Sequence, residues 1–148
     1  MSKITYFVLC AVAVSLSKVN ALTEEEKVAF RAAVTPIVEE CSKEHDVTGE
    51  EIKAAKEAAS ADNIKPCFLG CVFKKSEILN SDGSYNVEKG LGKVKEFVKD
   101  PAEQAKFEEI GKQCASVNEK SVSDGDAGCE RAKLLLACVL EHKAEIPL

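Results

Sequence analysis

Apolar residues recur three and four positions apart along most of this chain, which is the spacing of one face of an α-helix. The pattern predicts six helices that begin near Thr23, Thr48, Asn63, Asn86, Asp100 and Cys129. No segment alternates apolar and polar residues at period two for long, so a sheet is not indicated. The sequence therefore predicts an all-α fold of about six helices.

Capping signals mark several of these helix starts. Thr23 with Glu26, and Thr48 with Glu51, have the spacing of a capping box, in which each side chain accepts a hydrogen bond from the backbone of the other residue. Residues 100–103 (Asp-Pro-Ala-Glu) place an N-cap carboxylate just before a proline in the first helical position. Each of these signals predicts the first residue of a helix, and each depends on residues that are at most three positions apart in the sequence.

The first 21 residues have the pattern of a secretory signal peptide. Lys3 precedes an apolar run over residues 4–16, and residues 19–21 (Val-Asn-Ala) are suited to a cleavage site. The apolar run is too short to span a bilayer comfortably. Cleavage would leave residues 22–148 as one domain of 127 residues, long enough for its own core. The expected location is therefore extracellular.

Charge and cysteine content narrow the class further. Loss of Lys3 and Lys18 with the signal peptide changes the net charge from −5 to −7. An acidic domain without a basic cluster argues against nucleic acid or an anionic membrane as a partner. The same cleavage leaves an even number of cysteines, which predicts three disulfides in a secreted chain. The six are Cys41, Cys67, Cys71, Cys114, Cys129 and Cys138.

Helix geometry restricts how these cysteines pair. Cys67 and Cys71 lie one helical turn apart, with Cβ atoms about 5–6 Å from each other, whereas a disulfide needs about 3.5–4.5 Å. Cys129 and Cys138 are separated by about 13 Å along a helix. Excluding both pairs reduces the 15 connectivities of six cysteines to ten, which stay open. The helix of Cys67 and Cys71 is expected to be tied to two other parts of the chain.

The cysteine spacing resembles that of the insect odorant-binding protein family. The gaps between Cys41 and Cys138 are x25, x3, x42, x14 and x8, and the x3 and x8 gaps are the most characteristic of them. The resemblance implies six helices around an apolar cavity that carries small hydrophobic molecules. It also implies the interlocked pairing Cys41–Cys71, Cys67–Cys129 and Cys114–Cys138.

Apolar residues from several helices are expected to line this cavity. They are Phe30, Val34, Val38, Phe68, Leu69, Val72, Phe73, Leu91, Val94, Phe97, Phe107, Ile110, Leu134, Leu135 and Val139. Tyr85 is the candidate polar contact, and Ile146 and Leu148 near the chain end are the candidate lid. The expected partners are a small hydrophobic ligand and, for delivery, a membrane chemoreceptor, with the chain acting as a monomer or weak homodimer.

One alternative remains beside the carrier interpretation. Apolar helix faces more often form a solid core than a cavity, and a solid core would suit a secreted protein-interaction or defence factor. Residues 41–45 and 138–142 each contain Cys-x3-His, but zinc needs thiolates and oxidised cysteines supply none.

No base is placed against a nucleophile in the sequence, so neither catalysis nor a metal or other cofactor is expected.

Overall fold

The computed structural model describes residues 22–146, so the predicted signal peptide and Leu148 lie outside the described residues. The helices are α1 Glu24–His45, α2 Gly49–Ala58, α3 Pro66–Lys75, α4 Val87–Phe97, α5 Pro101–Gln113 and α6 Cys129–Glu141. Within this range the only extended pairing is an isolated bridge between Leu79 and Tyr85. The predicted all-α fold is confirmed. No helix between residues 22 and 146 is long and apolar enough to cross a membrane.

The capping signals act as the sequence predicts. Thr23 Oγ1 accepts a hydrogen bond from the Glu26 N–H at 3.1 Å, and a Glu26 carboxylate oxygen accepts one from the Thr23 N–H at 2.8 Å. Thr48 and Glu51 repeat this exchange at 3.2 and 2.7 Å. Asp100 Oδ1 accepts from two N–H groups in the first turn of α5. These contacts satisfy backbone donors that have no partner within a helix.

Short 3₁₀ helices are the elements that the sequence pattern does not predict. They span Ala61–Asn63, Cys114–Glu119 and Gly125–Ala127. The third α-helix begins at Pro66 rather than near Asn63 because the residue before a proline is pushed out of the helical region. Lys65 accordingly has an extended backbone, with φ −61° and ψ 125°.

Helix α3 lies at the centre of the fold, where it packs against α6 and α1. Phe68 and Leu69 of α3 and Leu135 of α6 are almost completely buried. The helices approach closely at Gly70, where a methyl group would lie only 3.3 Å from the Cα of Cys129. The absence of a side chain at this position therefore sets the distance between α3 and α6.

Two of the three disulfides fasten α3 to its neighbouring helices. The bonds are Cys41–Cys71, Cys67–Cys129 and Cys114–Cys138, with Cα–Cα distances of 5.8, 4.3 and 5.8 Å. This is the pairing that the family resemblance implies. The first bond joins α1 to α3, the second joins α3 to α6, and the third joins the end of α5 to α6.

Glu26 connects the start of α1 to the link between α4 and α5. One carboxylate oxygen accepts a hydrogen bond from the Thr23 N–H, and the other accepts one from the Lys99 N–H at 2.8 Å. The hydrogen bond from Lys99, followed by that from Thr23, lowers the pKa of Glu26 below its ordinary value of 4.5. The interaction therefore favours the ionised carboxylate in the folded protein.

The Glu26 contacts predict an acid-sensitive element. Because its pKa is lower in the folded state, Glu26 stabilises the fold above pH 4.5, and this contribution is lost as the pH falls through the folded-state value. Glu26→Gln is expected to flatten the loss of stability between neutral pH and about pH 3. Urea unfolding followed by circular dichroism at several pH values measures the effect.

Glu25→Gln is the matched control for this experiment. Glu25 lies in the same first turn of α1, so its substitution removes the same charge near the same helix end. Equal pH profiles for Glu25→Gln and Glu26→Gln would contradict a specific role for the bridge to Lys99.

Candidate ligand-binding site

The predicted lining residues fall into distinct groups in the structure. One group is buried in the central apolar cluster and contains Phe68, Leu69, Tyr85, Ile110, Leu135 and Ile146. A second group is half-buried and packs against that cluster, and it contains Val38, Val72, Phe73, Phe107, Leu134 and Val139. Side chains from α1, α3, α5 and α6 and from the segments beside them are thus brought to one interior region.

The half-buried group bears directly on whether the interior can accept a ligand. Its residues face the core, yet each retains surface that no protein atom covers. Partly exposed apolar side chains also occur at the margin of a packed core, because apolar atoms supply much of any protein surface. Apolar surface left partly uncovered next to a core is the type of surface that a small hydrophobic molecule would bury.

The remaining predicted residues lie towards the side formed by α1 and α4. Val34, Leu91, Val94 and Phe97 are half-buried, and 48% of Phe30 is exposed. The Phe30 and Phe97 rings meet edge to face, with centroids 5.5 Å apart and an interplanar angle of 85°. This geometry is favourable for aromatic pairs. Phe30 therefore lies at an exposed edge of the site rather than deep inside it.

The central cluster also contains apolar residues that the cavity prediction omits. Leu79, Val117 and Ala132 are all buried in it. Val117 could have been included from the sequence, because it continues the three- and four-residue spacing of Phe107, Ile110 and Cys114. Leu79 follows the end of α3 and has no such local signal.

The end of the described chain folds back onto the core. Ile146, one of the two candidate lid residues, is buried in the central cluster. The preceding turn is held by a contact of 2.9 Å between His142 Nδ1 and a Glu145 carboxylate oxygen. Leu148, the other candidate, lies outside the described residues. The part of the candidate lid that the structure describes is therefore a turn whose Ile146 side chain packs into the central cluster.

Two depressions on the surface lie away from the predicted lining residues. One, of about 330 Å³, is bounded by residues 62–66 together with Val47 and Glu51. The other, of about 270 Å³, lies between residues 59–62 and α6. Charged residues, including Asp62 in both, form part of their walls. Neither depression is bounded by a predicted lining residue.

Potential metal ligands come together at two places in the described part of the chain. One cluster consists of Cys114, Cys138 and His142, and the other of Glu44, His45 and Cys71. Every cysteine in them belongs to a disulfide. Because zinc binds the thiolate form, these sulfur atoms are not available as ligands while the disulfides remain intact.

Comparison with known proteins places this architecture in a family. A sequence model of the PBP/GOBP family matches residues 23–142. Among solved structures, the chain is similar to the odorant-binding protein dmelOBP28a from Drosophila melanogaster, at 26% identity and a TM-score of 0.59. The match covers 81% of this chain and 96% of that chain. Comparison with curated protein sequences gave no match.

Fold and site define an all-helical domain that is cross-linked by three disulfides and has an apolar interior. The chain belongs to the PBP/GOBP family. The family resemblance drawn from the cysteine spacing is thereby confirmed.

Proposed function

We propose that this chain is a secreted, non-enzymatic carrier that binds small hydrophobic molecules within its helical domain. The observation that carries the proposal is the match of the PBP/GOBP family over residues 23–142, nearly the whole described domain. The structural similarity to a Drosophila protein named as an odorant-binding protein supports it. The signal-peptide pattern of residues 1–21 supports secretion.

The mechanism is the burial of apolar ligand surface against the half-buried side chains of the interior. Such burial contributes roughly 25 cal/mol for each Å² removed from water. Phe73, Phe107 and Leu134 offer this surface from three different helices. Selectivity among ligands is expected to be broad, because apolar contact is not directional. The same carrier could release its ligand to a membrane chemoreceptor.

A secreted protein-interaction or defence factor with a solid core is the second candidate. The close packing of Phe68, Leu69 and Leu135 favours it, since these side chains are each less than 10% exposed. The two depressions described above also lie on the surface rather than in the interior. A solid interior would leave no room for a ligand beside the half-buried residues.

A neutral hydrocarbon probe distinguishes these functions. Diphenylhexatriene fluoresces weakly in water and strongly in apolar surroundings. Titration into the secreted protein is expected to raise its fluorescence until about one equivalent is bound, as for a single interior site. A solid core would leave the fluorescence unchanged, which would contradict the carrier function.

Asp62→Arg provides a control for binding at the surface. Asp62 borders both surface depressions and pairs with Lys133 at 2.7 Å. An exposed ion pair contributes only about 0–1 kcal/mol, so the domain is expected to remain folded. Interior binding predicts the same probe affinity for this variant and the wild type. A marked loss would place the probe in a surface depression.

A further inference from the structure

Tyr85 is held in place by an unusually complete set of backbone contacts. Its N–H donates to Asn118 Oδ1 at 2.8 Å, and its carbonyl oxygen accepts from Asn118 Nδ2 at 2.9 Å. An antiparallel bridge also connects it to Leu79. Only 7% of the residue is exposed. The position of Tyr85 in the interior is therefore fixed from both sides of its peptide backbone.

Two glycines make room for the Tyr85 side chain where α4 and α5 meet. A methyl group on Gly90 would lie 3.2 Å from Tyr85 Cε2, and one on Gly111 would lie 3.3 Å from the hydroxyl oxygen. The same methyl group on Gly111 would lie 2.9 Å from Leu91 Cδ2. The ring thus occupies a slot between the helices, and its hydroxyl group approaches Gly111, as does Leu91, a half-buried residue of the candidate site.

Within residues 22–146, the Tyr85 hydroxyl neither donates nor accepts a hydrogen bond. It is also not among the fully enclosed, unpartnered side-chain atoms of this range, which are Glu103 Oε2, Asp124 Oδ1 and Arg131 Nε. The hydroxyl therefore retains some accessible surface, and a ligand oxygen that reaches it can accept a hydrogen bond from it. Burial raises the pKa of Tyr85, which keeps the phenol neutral at physiological pH.

We propose that the Tyr85 hydroxyl is the hydrogen-bonding contact for the carried molecule. The preferred ligands are then hydrophobic molecules with one uncharged oxygen, such as an alcohol, aldehyde, ketone or ester. A neutral phenol can donate to such an oxygen, but it supplies no charge to compensate a buried carboxylate or ammonium group. This proposal rests on the carrier function proposed above.

Glu103, a residue of α5, is the other polar side chain that is almost completely buried in the described part of the chain. It is 3% exposed, and Lys106 Nζ lies 3.2 Å from its Oε1. Its second oxygen is fully enclosed by the protein. A ligand would have to displace packed atoms to reach that oxygen, whereas the Tyr85 hydroxyl is not fully enclosed.

Limonene and carvone test the proposal as a matched ligand pair, because carvone is limonene with one added ketone oxygen. Each is used to displace diphenylhexatriene from the secreted wild-type protein, from Tyr85→Phe and from Glu103→Gln. Tyr85→Phe removes only the hydroxyl oxygen. It is expected to weaken carvone binding about fivefold and to leave limonene binding unchanged. Glu103→Gln is expected to leave the affinities for carvone and for limonene the same as in the wild type.

Other outcomes separate this proposal from the carrier function. Equal losses for both ligands in Tyr85→Phe would show that Tyr85 acts only in packing, and unchanged carvone affinity would show that it is not the contact. A selective loss in Glu103→Gln alone would assign the contact to Glu103. Each of these overturns the proposal while probe binding upholds the carrier. Absence of probe binding to the wild type would overturn both.

A spectroscopic measurement on the wild type keeps the test independent of how Tyr85→Phe folds. The sequence has no tryptophan, and its only other tyrosine is Tyr6, within the predicted signal peptide. The tyrosine band of the secreted protein, after subtraction of the spectrum of the free ligand, then reports on Tyr85. Carvone is expected to shift this spectrum by hydrogen bonding, whereas limonene is not. Identical spectra with the two ligands would overturn the proposal.

Discussion

Replacing Cys67 and Cys129 together by alanine is expected to lower the free energy of unfolding by about 4 kcal/mol, the loss that chain entropy predicts for a loop of this length. The two residues are 62 positions apart, and their bond joins α3 to α6. Cys67 itself is exposed, so its truncation removes little packing. Urea unfolding under non-reducing conditions, followed by circular dichroism, measures the change.

The corresponding double serine variant is the control. It removes the same cross-link but leaves a hydroxyl group in place of each sulfur atom, so a similar loss is expected if the cross-link is responsible. A loss below about 1 kcal/mol in both variants would contradict the prediction, because it would show that the bond hardly restricts the unfolded chain.

Phe68→Ala is expected to lower the free energy of unfolding by about 3–5 kcal/mol, the usual cost of removing a buried phenyl ring. Phe68 is 4% exposed and belongs to the central cluster. Protein atoms cover its ring, so truncation leaves a cavity within the core. Thermal and urea unfolding measure the loss, and diphenylhexatriene titration measures any accompanying change in ligand binding.

Phe73→Ala is the matched variant on the same helix. Phe73 is half-buried against the central cluster, so a carrier is expected to lose probe affinity from this change and less stability than Phe68→Ala loses. The physical reason is that a ligand, rather than protein, would cover part of the Phe73 ring. A full core penalty with unchanged probe affinity would show that Phe73 belongs to a solid core.

Most of the helix framework could be predicted from local sequence. Thr23 and Glu26 cap α1 across three residues, and Asp100 caps α5 in the same way. Such contacts depend on side chains that are already neighbours in the chain. Three- and four-residue apolar spacing then indicates which face of each helix is buried. Helix α2, which has few bulky apolar residues, contains no fully buried residue.

One part of the site depends on residues that are distant in sequence. Tyr85 is held by Asn118, which lies 33 residues away. No local spacing signals this contact, because it forms only after the chain segments have been brought together. The cap of α6 is nearer in the chain, since Asp124 Oδ2 accepts from the N–H groups of Cys129 and Glu130, five and six positions further on.

The sequence by itself determined the all-α class, the main helix starts and, through its cysteine spacing, the family. Helix geometry alone left ten disulfide pairings open, since it shows which cysteines cannot meet but not which helices become neighbours. The tertiary structure decided that Phe68 lies in the core while Phe30 lies at an exposed edge. Both occupy apolar positions in their helices. Helical periodicity gives the direction of a side chain, whereas burial depends on the element packed opposite it.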